Sequence, residues 1–336
     1  MAKTNPNVVV IGGGTGTFVV LSGLKKYPLN LFAIISMVDS GGSTGRLRDQ
    51  LGVLPPGDLR QVLVALSESP EIWRKLFTYR FDSGDLSGHN FGNIFLSALE
   101  KITGSLQDAL GEAGKILNIK GSIIPVTFSR CTLCAEYEDG SIIEGEAKID
   151  VSDTKRPRIK FMYLAPEAVL NPKAKAAIQD ADYIILGPGD LYTSIVPNLL
   201  INGVSDTIAD SKAKKIYIVN LMTKRGQTDG FCVSDHVLEI DKYLGRGFLD
   251  YVIINSKDPN NKVLEWYKHQ DNVIPVEDDS YDKKFIEAKI IRADVLNEAV
   301  YDQHMADRIK RSLIRHDPVK LAKVLVKIID RKMLNK

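Results

Sequence analysis

The stretch Val8-Val9-Val10-Ile11-Gly12-Gly13-Gly14-Thr15-Gly16-Thr17 decides the fold. Four consecutive aliphatic residues without polar alternation read as a strand buried on both faces, the situation of a central strand in a parallel sheet. The glycines after it permit a sharp turn and a close backbone approach, and the pattern beyond them is helical to about Lys26. A strand, a glycine turn and a helix in that order aim free N–H groups and the positive end of a helix dipole at one spot, which suits a phosphate. Gly12, Gly13, Gly14, Thr15 and Gly16 are therefore candidate ligand-binding residues. A dinucleotide fingerprint would place a third glycine where Thr17 stands, so a nicotinamide-dependent oxidoreductase is the least favoured reading.

Outward from this stretch, short β-rich runs at residues 31–38, 159–164, 183–186, 215–219 and 251–254 alternate with helical patterns. That alternation predicts an α/β fold with a mainly parallel sheet between helices. Residues 1–336 read as one domain, because no Pro/Gly/Ser-rich or single-sign stretch breaks the pattern. Within it, residues 58–150 read as an excursion, helical to about Leu117 and then a hairpin around Asp139-Gly140.

With 44% hydrophobic and 26% charged residues among 336, the chain has material for a large core. A formal net charge of +2, with cations and anions interleaved, argues against a nucleic-acid partner. No apolar run approaches the roughly 20 residues that span a bilayer, and residues 1–6 lead straight into a strand, so no membrane insertion and a cytoplasmic location are expected. Cys131 and Cys134, three apart on a strand, face opposite sides of a sheet and do not suggest a redox or metal pair.

Ligands in doubly wound sheets bind at the carboxyl ends of strands, and the informative polar residues follow strands here. In Asp39-Ser40-Gly41-Gly42-Ser43-Thr44-Gly45-Arg46, the carboxylate Asp39 suits a ribose or sugar hydroxyl or a metal, while Gly41, Gly42, Ser43, Thr44 and Arg46 suit a phosphate. Asp58 can cap the helix that carries Arg60. His89, Asn90 and Asn93 open a further helix, where they either cap it or meet a ligand. Gly187, Gly189, Tyr192, Thr193 and Ser194 repeat the strand, glycine turn and helix plan of the N-terminus. Asn220 and Thr223 follow the next strand with groups suited to a base or phosphate edge. Asp317 and Pro318 cap and open a closing helix that runs to about Lys332. No multi-histidine metal site and no nucleophile–base pair is legible.

Taken in order, residues 12–16, 39–48, 55–60, 88–93, 187–194 and 315–317 resemble the YvcK branch of the YvcK/CofD-like proteins over nearly the whole chain. The resemblance implies a Rossmann-like three-layer α/β/α fold and one of two functions. YvcK relatives, called gluconeogenesis factors, bind UDP-sugars such as UDP-N-acetylglucosamine and influence cell shape and wall synthesis during gluconeogenic growth, with no cofactor required. CofD relatives are 2-phospho-L-lactate transferases that move a phospholactyl group from a guanosine diphosphate carrier to a deazaflavin with magnesium; Asp39 would then hold the metal and the turn carrying Asp58 and Arg60 would help position the migrating group. The first group is the better match, through residues 41–48 and 315–317, and it implies that Tyr267 and Arg315 contribute to the sugar end. It leaves room for a homo-oligomer and for a protein target in cell-wall synthesis. Two positions depart from the family pattern. Ser40 stands where many relatives carry a second acid, which weakens a two-carboxylate magnesium site, and Asp190 stands where Ser is common. A carboxylate in a phosphate loop repels the ligand unless a cation offsets it, so Asp190 is expected to point away.

Overall fold

The structure, a computed structural model, describes residues 5–151, 156–261, 264–265, 273–282, 286–298 and 314–330. Strand β1 (Asn7–Gly12) lies inside a seven-stranded parallel sheet, and its Val8, Val9, Val10 and Ile11 are each 0% exposed, as an unbroken apolar run requires. Helix α1 (Thr15–Leu24) carries the chain to β2 (Asn30–Ile35), which pairs with β1 so that Ile11 lies opposite Ile34. Five helices follow, α2 (Gly42–Leu51), α3 (Gly57–Leu66), α4 (Glu71–Thr78), α5 (Phe91–Thr103) and α6 (Leu106–Ile116), before β3 (Ser122–Pro125) closes one edge of the sheet beside β2.

A second, antiparallel sheet comes next. It consists of β4 (Thr132–Tyr137) flanked by β5 (Ile142–Glu144) and β6 (Ile159–Ala165), with the short helix α7 (Glu146–Ile149) between the outer two. The chain re-enters the main sheet through α8 (Pro172–Gln179) and β7 (Tyr183–Leu186). A π-helical turn (Leu191–Ile195), α9 (Val196–Leu199) and α10 (Val204–Asp210) lead to β8 (Lys214–Ile218), and α11 (Val233–Leu244) leads to β9 (Tyr251–Asn255). A 3₁₀ turn (Ser280–Asp282), edge strand β10 (Lys289–Ala293) and α12 (Pro318–Ile329) complete the described elements. The sheet order is β10-β9-β8-β7-β1-β2-β3. Helices flank it as a Rossmann-like arrangement requires, with α1 packed on α3 and α12, and α10 packed on α8, α9 and α11.

The sheet departs from the expectations in three places. Residues 122–125, inside the stretch read as an excursion, return to the main sheet as β3, too short a strand to stand out beside its helical neighbours. The run at 159–164 pairs antiparallel with β4 instead of joining the parallel sheet; its Lys160 and Phe161 are exposed, so it is a strand with a wet face. β10 escaped notice because its residues are only half-buried or exposed. The hairpin at 139–140 and the helices between 58 and 117 form as anticipated. Burial pushes both the Cys131 and Cys134 thiols up, which disfavours the reactive thiolate. Among the described residues no helix is long and apolar enough to cross a membrane.

Helix α12 begins where Asp317 accepts the Val319 and Lys320 N–H groups, each at 2.8 Å, and it buries Leu321, Leu325 and Ile329. It reaches α1 because Gly23 has no side chain: a Cβ there would stand 2.1 Å from Pro318 O. Gly23→Ala is therefore expected to destabilise the protein by about 1–3 kcal/mol. Gly111→Ala, in the exposed middle of α6 where a Cβ meets nothing within 4 Å, is expected to stabilise it by about 0.4–1 kcal/mol. Urea unfolding of both variants checks the pair of signs.

Candidate functional site

From β1 the chain builds outward through β2 to β3, and from β7 it builds the other way through β8, β9 and β10. β1 and β7 are hydrogen-bonded neighbours, with Ile11 opposite Leu186, so the crevice at their carboxyl ends is a topological switch point. Both glycine turns sit there. A Cβ on Gly16 would lie 1.7 Å from Pro188 O, and one on Gly13 would lie 2.8 Å from Ser194 Oγ, so the two turns are in direct contact. Gly187 adopts φ +75°, a conformation that other residues rarely take. Asn198 ties the turns together, its Nδ2 donating to Ser194 O at 2.8 Å and to Gly12 O at 3.3 Å.

Three helices begin at this edge without a side-chain cap: α1 after Gly14, α2 after Gly41 and α3 after Pro56. Asn90, Ser105, Asn171 and Asp317 do cap α5, α6, α8 and α12. Uncapped first turns leave N–H donors for an anion, strengthened by the helix dipole. Asp58 proves to be a first-turn residue of α3 and not its cap. Its carboxylate and the Gln61 amide crowd the first glycine turn, where a Cβ on Gly14 would meet them at 2.4 and 2.2 Å, and Thr15 Oγ1 donates to Gln61 Oε1 at 3.1 Å.

The second loop is held from behind. Asp39 Oδ1 accepts the Gly41 N–H at 3.0 Å. Arg60 donates to Asn93 Oδ1 at 2.9 Å and to Phe77 O at 3.2 Å, and Asn93 Nδ2 donates to Thr44 Oγ1 at 3.4 Å. Ser43 Oγ lies 3.2 Å from His89 Nδ1 and also accepts the Asn90 N–H, while Arg46 donates to Ser87 O. Burial, then Arg46 and Arg80, push the His89 imidazole below its ordinary value, which favours the neutral ring. Ser43, Thr44, Arg60, His89, Asn90 and Asn93 thus form one buried brace under the loop.

The antiparallel sheet supplies an unexpected third wall. Glu146 accepts the Ser40 N–H at 3.2 Å and Ala147 N–H donates to Ser40 Oγ at 2.9 Å, a two-bond clasp between α7 and the loop after β2. Burial, with Asp39, Asp150 and Asp58 nearby, raises the Glu146 carboxyl well above the usual carboxylate range. At the other end of α7, Asp150 accepts from Thr193 Oγ1 at 3.2 Å, from Gln227 Nε2 at 3.3 Å and from Lys224 Nζ. Lys224 also bonds Asp190 Oδ2 at 2.7 Å. Burial opposes charge on Lys224, but Asp190 and Asp150 outweigh it and hold the ammonium above its ordinary value. Asp190 therefore turns to a cation, which offsets its charge in the phosphate loop.

The remaining candidates are placed as follows. Asn220 lies beyond β8 with a buried Oδ1 that has no hydrogen-bond partner among the described residues. Thr223 is engaged by residue 274, donating its N–H to Ile274 O and accepting the Ile274 N–H. Tyr192 is 1% exposed, stacks edge-on with Phe231 and bonds Glu239, so it belongs to the core. Arg315 is half-buried beside His316, whose ring bonds the Val219 backbone, which brings the 315–317 motif next to Asn220. Tyr267 lies outside the described residues. Gln61, Glu146, Asp150, Asn198, Lys224 and Gln227 were not candidates; of these Lys224 and Gln227 carried a signal, their position in a polar stretch after a strand. Among the described residues no group of three or more His, Cys, Asp or Glu is arranged to hold a metal ion.

Residues 8–296 match the family model described as 2-phospho-L-lactate transferase CofD. The gluconeogenesis factor of Bacillus subtilis (strain 168) is 38% identical over 326 residues, covering 96% of this chain and 98% of that protein. The gluconeogenesis factor of Listeria innocua is 41% identical over 321 residues, covering 95% and 98%. The crystal structure of a UPF0052 family protein from Bacillus halodurans superposes with a TM-score of 0.88 at 36% identity, covering 97% of this chain and all of that one.

The Glu146 carboxyl generates a pH prediction. Its folded pKa is raised above the unfolded value, so the stability it contributes is full below about pH 4.5 and is lost as pH rises through the folded value. Glu146→Gln, which keeps an acceptor for Ser40 N–H and cannot ionise, is expected to raise the melting temperature at pH 8 and to leave it nearly unchanged at pH 5. Thermal unfolding at the two pH values checks this.

Proposed function

This chain belongs to the CofD/YvcK family, whose curated relatives include gluconeogenesis factors, and on that premise we propose that it is a cytoplasmic UDP-sugar-binding regulator. The carrying observation is the contact of two glycine turns at the switch point, with the uncapped starts of α1, α2 and α3 around them. A diphosphate is a dianion that needs several backbone donors converging from different loops, and this edge of the sheet supplies them. Residues 12–16 and 187–189 embrace the diphosphate in this reading. Asp39 and the Asn220 Oδ1, which has no partner among the described residues, take the ribose and base in this reading, since a buried amide oxygen is stable only when something donates to it. Arg315, next to the Asn220 end, and Tyr267 take the sugar. Binding would then report nucleotide-sugar supply to a protein target in gluconeogenic growth, cell shape and wall synthesis.

Isothermal titration with UDP-N-acetylglucosamine is expected to show a single site, and Gly16→Val, which drives a side chain into Pro188 O, is expected to abolish it. Absence of heat at millimolar ligand with the unmodified protein would refute the proposal.

A transferase reading is favoured by one observation, the approach of Asp58 to the first glycine turn and of Asp39 to the start of α3, the helix that carries Asp58. A Cβ on Gly57 would meet Asp39 Oδ2 at 2.4 Å, and one on Gly14 would meet Asp58 Oδ1 at 2.4 Å. Magnesium commonly takes one or two carboxylates plus substrate phosphates, and these two would hold it, where it would neutralise phosphate charge. The chain's own part would be positioning by the glycine turns. Incubation with a guanosine-diphosphate-linked phospholactate and a deazaflavin acceptor, read by product mass, is expected to yield no transfer; a product of the transferred mass would replace the regulator reading with this one.

A further inference from the structure

Lys224 holds an unusual position in the crevice. Its ammonium is bonded to Asp190, the residue following Gly189 and preceding the π-helical turn whose Ser194 packs on Gly13. Arg46 and Arg60 are turned to the carbonyls of Ser87 and Phe77, so their charge is directed at the protein's own backbone. An ammonium has three N–H donors, and Lys224 uses two, on Asp150 and Asp190, leaving one uncommitted among the described residues. Its two carboxylates are not equivalent. Asp150 is 20% exposed and is fixed in addition by Thr193 and Gln227, whereas the Asp190 side chain is 43% exposed and is held by Lys224 alone among the described residues.

We propose that Lys224 is the cation that engages the ligand's diphosphate, with Asp150 as its fixed anchor and Asp190 as a stand-in anion that the phosphate displaces. The inference rests on the nucleotide-sugar reading. A phosphate oxygen and the Asp190 carboxylate are both anions that compete for one ammonium, and their repulsion at close range favours the arrangement in which Asp190, the more exposed of the two carboxylates on Lys224, swings out. Asp150 stays, because leaving it would strand a mostly buried carboxylate without its counter-charge. This accounts for an acid in a phosphate loop: it keeps Lys224 extended toward the crevice while no ligand is present.

The test is a titration of UDP-N-acetylglucosamine into the unmodified protein, Asp190→Asn and the double variant Lys224→Gln/Asp150→Asn, which removes the cation together with its anchor so that no mostly buried carboxylate is stranded, the more exposed Asp190 being left to water. Asparagine keeps the size of Asp190 and its suitability at a helix start but not its charge. Asp190→Asn is expected to bind about three- to tenfold more tightly, and the double variant about tenfold or more weakly, as loss of one charge-assisted hydrogen bond implies. A double variant within twofold of the unmodified protein would overturn the inference. So would an Asp190→Asn protein that is weakened like the double variant, because the three residues would then form a structural unit. An unmodified protein that binds nothing removes the nucleotide-sugar reading itself, and this assignment with it.

Discussion

A methyl group on Gly16 would overlap Pro188 O, and the candidate site depends on that absence. Because the two backbones touch, the turn after β1 and the turn after β7 share one crevice. The start of α1 and the π-helical turn are thereby aimed at the same volume. The parallel sheet favours this meeting: its order reverses between these two strands, so the chain leaves β1 toward β2 and β7 toward β8, and the two turns stand side by side at the switch point. The buried aliphatic register of β1 against β2 and β7 fixes where those turns emerge.

The charge around the crevice is arranged against a simple anion hole. Asp39, Asp58, Glu146, Asp150 and Asp190 all approach a site whose backbone geometry favours phosphate. Two devices keep this compatible with an anionic ligand. Glu146 sits where burial and three neighbouring acids favour its protonated, neutral form. Asp150 and Asp190 share Lys224. Both devices come through the five residues 146–150, which connect the antiparallel sheet to the loops after β2, β7 and β8. The small sheet is therefore part of the site and not an ornament on it.

Much of this was legible in the sequence, for reasons that also explain what was not. An unbroken run such as 8–11 can be satisfied only by burial on both faces, and glycines directly after a strand have few other uses, so the parallel sheet and both turns were readable. The brace of Ser43, Thr44, Arg60, His89 and Asn93 was visible as polar residues at helix starts, but whether they met a ligand or one another depended on tertiary packing. Tyr192 illustrates the limit: it follows a glycine turn, yet the π-helical turn directs it into the core. Glu146 and Asp150 left no local mark, because their importance comes from contacts up to about a hundred residues away in sequence. Short or half-buried strands such as β3 and β10 lack the apolar length that makes a strand audible above its neighbours.

The most direct test of the shared crevice is amide spectroscopy on protein labelled with ¹⁵N-glycine during addition of UDP-N-acetylglucosamine. The account predicts that the signals of Gly13, Gly14, Gly16, Gly187 and Gly189 shift together with one saturation curve, while Gly111 in α6 and Gly140 in the hairpin stay in place. Ligand binding that moves only one of the two turns, or neither, would contradict it.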